Sequence, residues 1–183
     1  MNSSTSELAR NESQRELISD YYVDQNKRLH EQRPDYGSRG HRHAQQIREL
    51  AQAMQTRDVL DYGCGKATLA DALHDLEVKN YDPAFPEWSA VPEPADLVVC
   101  GDVLEHIEPE CLDAVLDDLQ RVSKKMLYAV VATRPAAKTL PDGRNTHLIQ
   151  EKMEWWLPKF WDRFTIGTVQ NLGGEFLILC GPK

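Results

Sequence analysis

Four side chains that can accept a proton or bind a metal ion lie in the second half of the chain. Asp102, Glu105 and His106 are close together in the sequence, and His147 follows later. An imidazole or carboxylate placed beside a reacting hydroxyl or amine acts as a general base. Two carboxylates and two imidazoles also suit a divalent ion that makes a hydroxyl more acidic. The pattern therefore allows base catalysis, metal-assisted chemistry or a purely structural role.

A second set of residues has the pattern of a ligand-binding turn. An apolar run ends at Asp61 and is followed by Gly63, Cys64 and Gly65. A residue without Cβ adopts positive φ easily and lets the backbone approach a ligand closely. Helical spacing resumes after Ala67, so the free N–H groups of a helix N-terminus would point into the same space. The stretch predicts a buried strand, a tight turn and a helix start around a polar ligand.

Three kinds of ligand loop share this outline. A phosphate-binding P-loop needs glycine where Leu60 stands and a hydroxyl where Ala67 stands, so it is excluded. A dinucleotide loop needs a small residue at the position of Thr68, which disfavours it. The remaining pattern, an acid followed by two spaced glycines and a small residue, is met from Asp61 onward. It resembles the first motif of the class I S-adenosylmethionine-dependent methyltransferases.

Two further stretches resemble the same family. Asp82 ends a short strand-like run, where a carboxylate can accept both ribose hydroxyls of an adenosine. The sequence DLVVCGDVLEHI at 96–107 is similar to the fourth-strand motif of these methyltransferases, and the resemblance covers residues 57–131 well. It implies S-adenosylmethionine as the cofactor. By the same resemblance, the cofactor-binding residues are Asp61, Gly63, Cys64, Gly65, Asp82, Pro83, Asp102 and Val103.

The resemblance also bears on the four proton-accepting side chains. Together they are similar to the metal set of the small-RNA 2′-O-methyltransferases, although Asp102 stands where that family has glutamate. In many other methyltransferases the LEHI sequence only ends the strand and starts the next turn. Methyl transfer from a sulfonium is already downhill, so positioning supplies much of the rate. We predict His106, His147 and Glu105 as the catalytic residues, and no bound metal.

The elements around these residues predict one α/β domain over residues 1–183. We expect a doubly wound, Rossmann-like, mostly parallel sheet in residues 44–183, with an N-terminal helical arm or cap in residues 1–43. Residues 83–94 contain four prolines, which cannot donate to a sheet and which break helices. The third strand of such a sheet is therefore expected to be short or missing. Phe85 or Trp88 in this stretch would then stack on an adenine or cover the edge of the core.

The C-terminal part predicts how the sheet ends. Two strand-like runs, 163–170 and 175–180, are joined by a link too short for a parallel crossover, so they must form an antiparallel hairpin. This hairpin fits the methyltransferase fold and disfavours an NAD-binding oxidoreductase. Just before it, we expect a helix over 148–157 that Pro158 ends.

Composition limits the partners and the location. The formal net charge of −8 argues against a nucleic-acid partner held through phosphates. No apolar run approaches the roughly 20 residues of a membrane span. The first residues lack the hydrophobic region of a secretory signal, and the four cysteines form no C-x-x-C pair, so we expect a cytoplasmic protein with reduced thiols. Cations outnumber acids between Lys27 and Arg48, which predicts either a local anion site or a solvated helix face.

The sequence thus predicts an S-adenosylmethionine-dependent methyltransferase that acts on a small molecule, with sugars and nucleotide-linked intermediates as candidates. One alternative is a protein that binds S-adenosylmethionine or another nucleoside without turnover, or a partner subunit of an active enzyme. A less favoured alternative is an NAD-dependent oxidoreductase. The oligomeric state and the methyl acceptor are not predicted.

Overall fold

A computed structural model describes residues 17–183 of the chain. Its strands are β1 (Asp58–Tyr62), β2 (Glu77–Tyr81), β3 (Ala95–Gly101), β4 (Ser123–Ala132), β5 (Phe164–Asn171) and β6 (Glu175–Pro182). Its α-helices are α1 (Asp20–Gln32), α2 (Ala44–Ala53), α3 (Thr68–Ala72), α4 (Leu112–Val122) and α5 (Met153–Arg163). Short 3₁₀ turns occur at Gly40–His43, Pro86–Trp88, Leu104–His106 and Pro109–Cys111.

The six strands form one sheet in the order β2-β1-β3-β4-β6-β5. Strands β1 to β4 run parallel, whereas β6 is antiparallel to both β4 and β5. This arrangement confirms the predicted Rossmann-like sheet with its terminal hairpin. Strand β1 has β2 on one side and β3 on the other, so the direction of winding reverses there. In open α/β sheets, ligands bind outside the carboxyl ends of the strands at such a reversal.

The expected loss of the third strand is confirmed. Residues 83–94 contain only the 3₁₀ turn Pro86–Trp88, and β2 is the last strand on that side of the sheet. The predicted N-terminal helix is present as α1, which begins with the hydroxyl of Ser19 accepting a hydrogen bond from the N–H of Tyr22. The part of that prediction before Leu17 lies outside the described residues.

Apolar side chains fill the space on both faces of the sheet. Helices α4 and α5 cover one face through residues such as Leu116, Leu119 and Trp156, all fully buried. Helices α2 and α3 cover the other face through Ile47 and Leu69. Because both faces are covered, the central strands are almost continuously apolar, as buried parallel strands require.

The helix predicted over 148–157, with its end at Pro158, is wrong at both ends. Helix α5 runs from Met153 to Arg163 with Pro158 inside it. The proline and Glu154, whose carbonyl loses its intrahelical partner, are both exposed, so water can hydrogen-bond that carbonyl. On the opposite side of the helix, burial of Trp156 and Phe160 offsets the cost of the lost bond.

Among residues 17–183, the structure has no helix that is both long enough and apolar enough to cross a membrane.

Candidate functional site

A cavity of about 820 Å³ lies at the carboxyl ends of β1, β3 and β4. Every residue predicted to bind the cofactor lines it, and so do two of the three predicted catalytic residues. These lining residues are Asp61, Gly63, Cys64, Gly65, Asp82, Pro83, Asp102, Val103, His106 and His147. The third predicted catalytic residue, Glu105, does not line the cavity. The fold therefore brings together residues from four separate parts of the sequence, 61–65, 82–83, 102–106 and 147.

The turn after β1 needs glycine at two positions. Gly63 has a φ of 79°, and a Cβ there would lie 2.5 Å from a methyl carbon of Val103. Gly65 has a φ of 53°, and its Cβ would lie 2.6 Å from the carbonyl oxygen of Gly37. No side chain fits at such distances, so both glycines are required by the turn and its neighbours. The bare backbone between them leaves a cradle open to the cavity.

The segment between α1 and α2 lies directly over this turn. The carbonyl of Gly37 accepts a hydrogen bond of 2.8 Å from the N–H of Lys66. The ammonium of Lys66 donates to the carbonyl of Pro34 at 2.7 Å. These contacts tie the covering segment to the turn, so one wall of the cavity comes from before the first strand.

Two carboxyl groups lie beside the turn. Asp82 accepts hydrogen bonds from the N–H of Gly65 at 3.0 Å and from that of Ala84 at 2.9 Å. Burial raises the pKa of Asp82 to about 6, although these hydrogen bonds oppose the rise. Burial, with the nearby Asp82, raises the pKa of Asp61 to about 7. Within the described chain, one oxygen of Asp61 is buried without a hydrogen-bond partner. This set fits a ligand that brings its own donors, such as hydroxyl or ammonium groups.

Two histidines, His106 and His147, line the cavity next to each other. Nδ1 of His106 donates to the carbonyl of Thr146 at 2.7 Å, and Nδ1 of His147 donates to the carbonyl of Arg134 at 2.6 Å. A carbonyl only accepts, so each Nδ1 carries a proton, and in a neutral ring Nε2 is then the nitrogen that can accept. Their ring centroids are 4.8 Å apart. Burial lowers the pKa of His106 to about 3, so it stays neutral at physiological pH.

Glu105 is fully buried behind the cavity wall. One carboxylate oxygen accepts from the N–H of Ala132 at 3.1 Å, which fixes the end of β4, and the other has no partner among the described residues. Glu105, His106 and His147 each offer a ligand atom, and these atoms lie within 4.8 Å of one another. That donor set is compatible with a divalent ion. That no metal is bound stays a prediction. Because Glu105 does not line the cavity, it could affect catalysis only by positioning residues that do.

The buried carboxyl group gives a testable pH dependence. Burial, with the nearby Asp102, raises the pKa of Glu105 from 4.5 to about 8. Between these values the folded protein holds a proton that the unfolded chain has lost, so stability falls as pH rises. In Glu105→Gln this contribution is absent. We expect the free energy of unfolding of the wild type to decline between pH 5 and 8 by roughly 1 kcal/mol per unit more than that of the variant. Urea unfolding at several pH values measures this, and parallel pH profiles would contradict it.

Several cavity residues had no role assigned from the sequence. Tyr36, Arg39, Arg42, Arg134 and Lys138 all line the cavity. The excess of cations between Lys27 and Arg48 indicated the region that contains Arg39 and Arg42. Nothing in the sequence marked Arg134 and Lys138, which follow β4 in a loop rich in turn-forming residues. Phe85 does not line the cavity and packs instead against His30, with ring centroids 4.6 Å apart.

Several solved structures with the same fold are methyltransferases. The 1,6-didemethyltoxoflavin N1-methyltransferase of Burkholderia thailandensis, with S-adenosylhomocysteine bound, is 14% identical with a TM-score of 0.59, over 80% of this chain and 79% of that one. Magnesium protoporphyrin IX methyltransferase of Synechocystis PCC 6803 is 16% identical with a TM-score of 0.56, over 78% and 83%. The N-methyltransferase NodS of Bradyrhizobium japonicum WM9 is 15% identical with a TM-score of 0.54, over 77% and 85%. At these identities the likeness shows the fold alone.

Sequence comparison gives the family. No curated protein matches the chain. The sequence model of a family described as a methyltransferase domain matches residues 29–172, which include the glycine turn, both acids beside it and both histidines. The match agrees with the motifs at Asp61, Asp82 and residues 96–107. The chain therefore belongs to the methyltransferase domain family.

Proposed function

We propose that the protein is an S-adenosylmethionine-dependent methyltransferase that acts on a small molecule. The observation that supports this most is the glycine turn, whose bare backbone opens on the cavity beside the buried carboxyl groups of Asp61 and Asp82. A nucleoside with two ribose hydroxyls supplies the donors that these carboxyl groups need. Solved structures of the same fold hold S-adenosylhomocysteine, which supports the same cofactor here.

The cavity residues have distinct roles in this proposal. Asp82 accepts the ribose hydroxyls, and Asp61 accepts from donors at the amino-acid end of the cofactor. The remaining predicted contacts come from Gly63, Cys64, Gly65, Pro83, Asp102 and Val103. The cofactor supplies an activated methyl group, so the chain chiefly has to align the acceptor with it. Nε2 of His147 or His106 accepts a hydrogen bond from the hydroxyl or amine that is to be methylated. This bond orients the lone pair of that hydroxyl or amine toward the methyl carbon.

The size of the cavity favours a small acceptor. After a nucleoside is bound, 820 Å³ leaves room for a metabolite-sized molecule and not for a macromolecular chain inside it. Sugars and nucleotide-linked intermediates remain our candidates, because their hydroxyls match the acceptor nitrogens of the two histidines. We also propose a cytoplasmic location, based on the sequence.

The alternative of a binder without turnover is supported by one observation. The strand that normally borders the adenine is absent, and residues 83–94 take its place. A pocket altered in this way can bind a nucleoside and yet hold the methyl group out of line with the methyl acceptor. An NAD-dependent oxidoreductase has weaker support, because the sheet ends in the antiparallel hairpin of β5 and β6.

Two measurements separate these functions. Calorimetry should show binding of S-adenosylmethionine and S-adenosylhomocysteine and no comparable binding of NAD. Incubation with a methyl-labelled donor and a metabolite extract should then transfer label to a small molecule, and the transfer should persist with EDTA. Tight binding of NAD alone would refute the proposal, and donor binding without label transfer would favour the non-catalytic binder. Loss of transfer in EDTA that Mg²⁺ or Zn²⁺ restores would contradict the prediction of no metal.

A further inference from the structure

Three arginines gather at the mouth of the cavity around two carboxylates. Nη2 of Arg42 donates to Asp102 at 2.8 Å and to Glu175 at 3.3 Å, while Nη2 of Arg134 lies 3.6 Å from Glu175. Arg39 lines the same region, and its charge is among those that lower the pKa of Asp102 against the larger, raising effect of burial. The cluster therefore has one more full positive charge than negative, in a chain whose net charge is −8.

Arg42 is held in one orientation by a chain of hydrogen bonds. The hydroxyl of Tyr128 donates to Gln46 at 2.6 Å, so it must accept from Nδ1 of His43 at 3.0 Å. Nε2 of His43 is then an acceptor, and Nε of Arg42 donates to it at 3.0 Å. Burial, with the nearby Arg42, lowers the pKa of His43 to about 4, so this imidazole remains neutral. Of the three guanidinium nitrogens of Arg42, Nε and Nη2 have partners and Nη1 has none among residues 17–183.

Arg39 has free donors. Its side chain is exposed at the cavity and forms no hydrogen bond or ion pair within the described part of the chain. Other cations near the site are paired: Lys138, for example, donates to Asp35 at 2.6 Å. Arg39 has a guanidinium with free donors and lines the same cavity as Arg42, whose guanidinium is fixed in place. Such groups match the oxygens of a carboxylate or phosphate.

We propose that Arg39, with Nη1 of Arg42, binds a carboxylate or phosphate group of a ligand in the cavity. This inference rests on the proposed function and identifies a chemical feature of what the site holds. Asp102 directly follows β3, and Glu175 begins β6 opposite the last residue of β4. Asp82, in contrast, directly follows β2 at the edge of the sheet. The anionic group therefore belongs to a part of the bound cofactor or methyl acceptor that lies away from the ribose. It is either the carboxylate of the cofactor or an anionic group of the methyl acceptor.

The test compares Arg39→Gln with Arg33→Gln. Arg33 lies in the same covering segment, undergoes the same change of charge and does not line the cavity. Each protein is titrated with S-adenosylhomocysteine and with 5′-methylthioadenosine, which lacks the amino-acid portion. If the cofactor carboxylate binds at Arg39, we expect Arg39→Gln to lower the affinity for S-adenosylhomocysteine about tenfold and to leave that for methylthioadenosine unchanged. Arg33→Gln should change neither affinity.

A second titration detects the other source of the anion. Inorganic phosphate is titrated into each protein already saturated with S-adenosylhomocysteine. If the anionic group belongs to the acceptor, phosphate should bind the wild type and Arg33→Gln, and should bind Arg39→Gln about tenfold more weakly. The inference is overturned if Arg39→Gln alters neither the S-adenosylhomocysteine affinity nor phosphate binding. Failure of methylthioadenosine to bind the wild type would instead count against the proposed function, because that probe needs no anion site.

Discussion

Gly65→Ala should lower the affinity for S-adenosylhomocysteine by about a hundredfold, roughly 3 kcal/mol, from strain and lost hydrogen bonds together. The new Cβ would lie 2.6 Å from the carbonyl oxygen of Gly37, so the turn and the covering segment cannot both keep their positions. Any shift of the turn also disturbs the hydrogen bond from Gly65 to Asp82. The ligand would then meet a distorted cradle. Calorimetry at a fixed pH measures the change.

Gly173→Ala is the matched control for this variant. Gly173 also has a positive φ, 74°, but a Cβ there would meet no atom within 4 Å. It lies in the turn between β5 and β6 and does not line the cavity. We expect Gly173→Ala to lose about 1 kcal/mol of stability from backbone strain and to keep its affinity. Equal affinities of the two variants would show that close packing at Gly65 is not what the ligand requires.

Asp82→Ala should weaken S-adenosylhomocysteine binding by roughly 1.5 to 3 kcal/mol, because a hydrogen-bonding carboxylate is lost from the ribose. The affinity of the wild type should also rise between about pH 5 and pH 8. Burial raises the pKa of Asp82 to about 6, and the ionised carboxylate is the better acceptor for two hydroxyls. The variant should lose the part of this rise that comes from Asp82 and keep the part that comes from Asp61, whose pKa is raised by burial to about 7. Calorimetric titrations of both proteins over this pH range provide the measurement.

Glu87→Ala serves as the control for Asp82→Ala. It removes a carboxylate from the same loop, but Glu87 is exposed and does not line the cavity. Its affinity and pH profile should match those of the wild type. Wild-type affinity in both Asp82→Ala and Glu87→Ala would refute the assignment of Asp82 to the ribose. A common loss in both variants would point to loosening of the loop instead.

The sequence predicted the parts of the site that depend on local patterns. An apolar run ending at Asp61 and two spaced glycines fix a strand and a turn, because few other conformations suit those residues. The hairpin of β5 and β6 followed in the same way from a link that is too short for anything else. The prolines of residues 83–94 correctly predicted the missing strand, since they cannot take part in a ladder.

Contacts between distant parts of the chain were not predictable in this way. Glu105 lies behind the cavity wall, where it accepts a hydrogen bond from the N–H of Ala132. No local sequence pattern predicts this contact, because the two residues are 27 positions apart. The orientation of the His147 ring depends on its hydrogen bond to the carbonyl of Arg134, and the position of Gly37 over the site depends on its contact with the turn at Gly65. The continuation of α5 past Pro158 likewise depends on tertiary burial of Trp156, which outweighs a local rule.

The shortened sheet has a consequence for the behaviour of the protein in concentrated solution. Within residues 17–183, strand β2 pairs with β1 on one side only, so backbone donors and acceptors on its other edge have no partner strand there. Such an unpaired strand is a template for another molecule to add to. Glu77 and Lys79 are exposed along it, and Lys79 is anchored by its ion pair of 2.6 Å with Asp58. These two charges oppose self-association at the edge that the missing strand would otherwise have covered.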